Sequence, residues 1–61
     1  MSQLNQMELQ NLRHMIGGHD TAMQKMQTYA QQSMDPQVKA YFEKSAQGAE
    51  QTKQKLMSFL N

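Results

Sequence analysis

The sequence predicts an all-α protein, an antiparallel two-helix hairpin that dimerises into a four-helix bundle. Three observations carry this expectation. Apolar residues recur at alternating three- and four-residue steps through both halves of the chain. The only proline, Pro36, follows Asp35 and divides those halves. The chain also has 61 residues and no cysteine, so one core buries too little surface to outweigh the entropy of ordering it, and no disulfide can help. A partner copy is the remaining way to supply buried surface.

The first helix is expected over about residues 5–32, because Asn5 with Glu8 three positions later makes a capping-box signature. Its seam is Leu9, Leu12, Ile16, His19, Met23, Met26, Ala30 and Ser33. Met15, Ala22 and Tyr29 stand beside that seam on one flank and widen the stripe, so it can contact more than one neighbour.

A turn is expected at Ser33 to Asp35, since aspartate is a good N-cap and proline is favoured at the first helical position. So short a link makes the helices antiparallel neighbours. The second helix, expected over about 36–60, carries the seam Val38, Phe42, Ser45, Ala49, Thr52, Leu56 and Phe59, flanked by Tyr41, Ala46 and Leu60. In the matching register Phe59 meets Leu12, Leu56 meets Ile16, Thr52 meets His19 and Ala49 meets Met23, so that large side chains face small ones.

Gly17-Gly18 falls inside the first helix, where each glycine costs about 1 kcal/mol relative to alanine. The seam keeps its phase across the pair, so one continuous helix of roughly 28 residues is expected, about 42 Å long. Both glycines fall on its outer face. They read either as a tolerated kink or as a point of close approach by another protomer.

Composition narrows the function. A net charge of +1, with lysines scattered along the chain, lacks the electrostatic footprint of a nucleic-acid binder. No stretch approaches the ~18 apolar residues of a membrane span, and the N-terminus has no basic segment leading into an apolar run. The expectation is a soluble, intracellular protein without nucleic-acid or membrane partners. The glutamines lie between apolar residues at helical spacing and read as an uncharged outer face.

No serine has a histidine and carboxylate at a nucleophile spacing, and Gly17-Gly18 lies in mid-helix, so it is no phosphate cradle. A non-enzymatic protein without a cofactor is expected. His19 is the residue with most chemical potential. It occupies the seam with Met15 and Met23 one turn away on either side and Met26 beyond, a thioether and imidazole set soft enough for Cu(I). The competing reading makes these methionines packing and His19 a satisfied polar residue, bonded to Thr52 or to its mate across a symmetry axis. His14 is expected at the surface. Glu43 and Glu50, one heptad apart, are expected outside the seam, solvated or paired with Lys39 and Lys44.

The segments Glu8-Leu-Gln-Asn-Leu-Arg-His-Met-Ile, Tyr29-Ala-Gln-Gln-Ser-Met-Asp-Pro-Gln-Val-Lys and Lys53-Gln-Lys-Leu-Met-Ser-Phe-Leu resemble the coat F family of spore coat proteins of spore-forming Firmicutes. The likeness extends over nearly the whole chain, with the Asp35-Pro36 turn and Leu56-Met57-Ser58-Phe59-Leu60 as its best-matched parts. It implies a ferritin-like bundle of helical hairpins, a place in the spore coat, and other coat proteins as partners. Ferritin-like di-iron sites take inward Glu and Glu-x-x-His ligands. This seam offers His19 but no inward glutamate, and Ser45, Gly48 and Ala49 stand where second-helix ligands would sit. The expectation is therefore a structural role in a homodimeric or larger bundle, with a small Cu(I)-type metal-binding bundle as the alternative.

Overall fold

The computed structural model describes residues 4–60. Helix α1 spans Gln6–Gln32, helix α2 spans Pro36–Met57, and Ser58–Leu60 closes the chain in a 3-10 turn, with no strand among the described residues. The two helices pack against each other as a hairpin.

Each helix starts where a side chain can satisfy its first free N–H groups. The Asn5 side chain accepts from the Glu8 N–H at 2.7 Å, and the Glu8 carboxylate accepts from the Asn5 N–H at 3.1 Å, which closes the capping box in both directions. Asp35 Oδ1 accepts from the N–H groups of Gln37 at 2.8 Å and Val38 at 3.1 Å. Pro36 follows at the position where a missing N–H costs nothing. Between the helices, Ser33 turns to an extended conformation and its hydroxyl donates to the Asp35 carbonyl at 3.3 Å. Helix α1 passes through Gly17 and Gly18 without interruption, and neither glycine has a positive φ.

The buried residues among those described are few and mostly small: Leu12, Ala30 and Ala46. Along α1, Leu9, Ile16, His19, Met23, Met26 and Ser33 are half-buried, so every member of the α1 seam turns toward α2. The second helix sits differently from the expected register. Phe42, Ser45, Ala49 and Leu56 are half-buried, but Val38, Thr52 and Phe59 are exposed, while Ala46 and Lys53 turn inward. Two forces favour that rotation. Ala30 and Ala46 are small enough to let the helices approach closely, and Lys53 reaches across to Asp20 at 2.8 Å. Thr52, expected against His19, is therefore exposed.

The principal extents of the chain are 46 × 16 × 10 Å. Two helices side by side account for the middle figure, and the smallest is a single helix layer. The hairpin is a slab with two broad faces that nothing among the described residues covers.

Candidate functional site

The two broad faces differ in chemistry, and the difference follows from helical geometry. Residues seven apart on a helix lie nearly above one another. Met15, Ala22 and Tyr29 make one such file on α1, and Val38, Ser45, Thr52 and Phe59 make another on α2. In an antiparallel pair these files border the same broad face. At the turn end the α1 file meets α2 through aromatic contacts: Tyr29 packs on Phe42 of the α2 seam with ring centroids 5.4 Å apart, and Phe42 meets Tyr41 edge-on at 5.9 Å. Charge stands only at the end of this face away from the turn, where Glu8 continues the Met15 file and the Lys55 ammonium lies 5.8 Å from the centre of the Phe59 ring. The large members of the files stay open, with Met15 48% exposed, Val38 44%, Tyr29 43% and Phe59 41%.

The opposite face holds a shallow groove floored by Ala30 and Ala46 and walled by Gln27, Gln31, Lys39, Glu43 and Gln47. Beside it runs a polar chain that links the helices. Gln24 Nε2 donates to Asp20 Oδ2 at 2.9 Å, Lys53 Nζ donates to Asp20 Oδ1 at 2.8 Å, and Gln54 Nε2 donates to Glu50 Oε2 at 2.6 Å. Lys53 also lies 4.0 Å from Glu50. Glu50 was expected to be solvated or paired with Lys39 or Lys44; it instead flanks Lys53, because the rotation of α2 carries both toward α1. Glu43 is exposed.

The hydrogen bond to Asp20, reinforced by the charges of Asp20 and Glu50, raises the Lys53 ammonium above its ordinary 10.5 against a smaller opposing effect of burial. A raised folded-state value makes the ammonium a stabilising group up to about the unfolded value, with that contribution lost as pH climbs through the raised one. Thermal melts are accordingly expected to lose stability above about pH 10.5 more steeply for the natural chain than for Lys53→Met. Equal slopes would show that the ion pair contributes nothing.

His19 is held within its own helix. Its Nδ1 lies 2.9 Å from the Met15 carbonyl. A carbonyl only accepts, so Nδ1 is the donor in this bond. The bond to Thr52 expected from the sequence is replaced by this local one. Met15 stands in the α1 file, Met23 lines the glutamine-walled groove on the other face, and Met26 is half-buried a further turn along.

No known protein family, characterised protein or solved structure matches this chain. Its chemistry therefore has to be read from its own residues. Among the described residues, no three His, Cys, Asp or Glu side chains gather as metal ligands, and no helix is long and apolar enough to cross a membrane. The most distinctive feature is the asymmetry of the slab, with a file-lined face whose middle is uncharged on one side and an amide- and charge-lined groove on the other. Sequence periodicity placed Ala46 at the edge of the seam and passed over Asp20 and Lys53. A signal for the ion pair existed only in the opposite signs of two residues near the same level of the hairpin.

Proposed function

We propose that the chain is a non-enzymatic structural module whose working form is a homo-oligomeric helical bundle, a dimer of hairpins. One observation carries this reading: the hairpin is a single layer of helices with three buried residues among those described, two of them alanine. Stable domains bury apolar surface between at least two layers, and a chain of this length holds little stability in reserve. A second hairpin laid on the first supplies the missing layer and gives four helices around one core. Within that reading, the resemblance to coat F proteins supports a role as a component of the spore coat, assembled with further copies and with other coat proteins.

The test is an assembly mass by light scattering alongside far-UV circular dichroism. Strong helicity at dimer mass or above, with helicity falling on dilution, is the expected result. A monomer that stays fully helical at low micromolar concentration would remove the proposal. The coat assignment is tested separately by a fluorescent fusion in a sporulating host, where a rim of signal at the spore periphery is expected and diffuse mother-cell signal would refute it.

A further inference from the structure

We infer that the second copy docks on the face with the uncharged middle, across the files Met15, Ala22, Tyr29 and Val38, Ser45, Thr52, Phe59, and leaves the glutamine-walled groove facing outward. This rests on the homo-oligomer reading above and adds which surface is used.

Area is the first argument. The chain exposes 4991 Å². A compact monomer of its 7.1 kDa would expose about 4,100 Å² by the usual scaling of surface with mass. The excess of about 900 Å² is close to the roughly 800 Å² that each partner contributes to a standard stable interface. One further hairpin face therefore accounts for the surplus.

The second argument decides between the faces. A two-fold interface sets the same patch against itself, so any charge at its centre is brought near its own image. The groove side carries Lys39, Glu43, Glu50 and the Asp20–Lys53 pair, whose desolvation would be costly. The other face carries charge only at one end, Glu8 in line with Met15 and Lys55 over the Phe59 ring, and none along Ala22, Tyr29, Val38, Ser45 and Thr52, so the centre of a two-fold contact there stays free of charge. The shape of this face is also suited to self-contact. Large residues stand at both ends, Met15 and Phe59 at one and Tyr29 and Val38 at the other, while Ala22, Ser45 and Thr52 leave the middle low. A two-fold axis near that middle brings the small residues of both copies together and lays large ends on large ends. It also explains the α2 seam. Val38, Thr52 and Phe59 look apolar-periodic in sequence yet lie outside the hairpin's own core, and a second copy gives them one.

The natural chain has no cysteine, so single cysteines report on proximity without background. Ala22→Cys, Thr52→Cys, Gln31→Cys and Gln47→Cys are oxidised in parallel at micromolar concentration and read on non-reducing gels, with the mass of the unmodified protein measured alongside. At least one of Ala22→Cys and Thr52→Cys is expected to form linked dimer on the order of tenfold faster than either glutamine-face variant. If the natural protein is dimeric but Gln31→Cys or Gln47→Cys links as fast or faster, the face is wrong and the assembly reading stands. A natural protein of monomer mass removes both.

Discussion

Replacing Leu12 with aspartate is expected to abolish helicity and assembly together. Leu12 is the one large side chain among the buried described residues, 8% exposed, and it lies in the α1 seam. Truncating such a residue to alanine costs about 2–5 kcal/mol. A domain of 61 residues holds about 3–9 kcal/mol in total, so the milder change already threatens the fold. Aspartate adds a buried carboxylate with no partner, which the remaining stability does not cover. Ile16→Asp and Leu56→Asp are expected to act in the same direction more weakly, since both sites are half-buried. Met34→Asp is the control. Met34 sits in the turn at 98% exposure, and its substitution is expected to change stability by less than about 0.5 kcal/mol. Circular dichroism of the four variants at one concentration checks the ranking, and a helical Leu12→Asp protein would show that the hairpin core contributes little.

The contrast between Leu12 and Met34 also marks how far this fold was legible in sequence. The two helices, the absence of strands and the hairpin shape follow from periodicity and from two local signals, Asn5 with Glu8 and Asp35 with Pro36, because caps and links are decided by residues within a few positions of each other. The rotation of α2 is a different kind of property. Ser45, Ala46 and Ala49 are all small, so the heptad pattern fits neighbouring phases almost equally well there. The choice falls to contacts between helices, Ala30 near Ala46 and Asp20 with Lys53, which lie far apart in sequence. His19 shows the same limit from the other side. Its seam position was visible, but the Met15 carbonyl one turn back competes for Nδ1 with any partner across the hairpin, and the local acceptor holds it. The file-lined face is half legible. Its members appear in the sequence as flanks and seam, and only the slab geometry shows that they share one open side.

Gly17 and Gly18 yield the largest expected gain in stability. Both lie in the interior of the 27-residue α1 with ordinary helical backbone, and a methyl group added at either meets nothing within 4 Å. Each alanine substitution is then expected to stabilise by about 1 kcal/mol, because the unfolded chain loses freedom and no contact is broken. Together they amount to about 2 kcal/mol, and at roughly 4–8 °C per kcal/mol for a chain of this size the double variant should melt about 8–16 °C higher. The two sites also report on different surroundings. Gly17 points away from the file-lined face, whereas Gly18 lies one position from the edge of the Met15 and Ala22 file. Separate melts of Gly17→Ala and Gly18→Ala therefore distinguish two roles for the pair. A gain at both means that the glycines are soft points without a packing duty. A gain at Gly17 with a loss at Gly18 means that the partner's backbone passes close enough to need the missing side chain, and it would locate the rim of the dimer on α1.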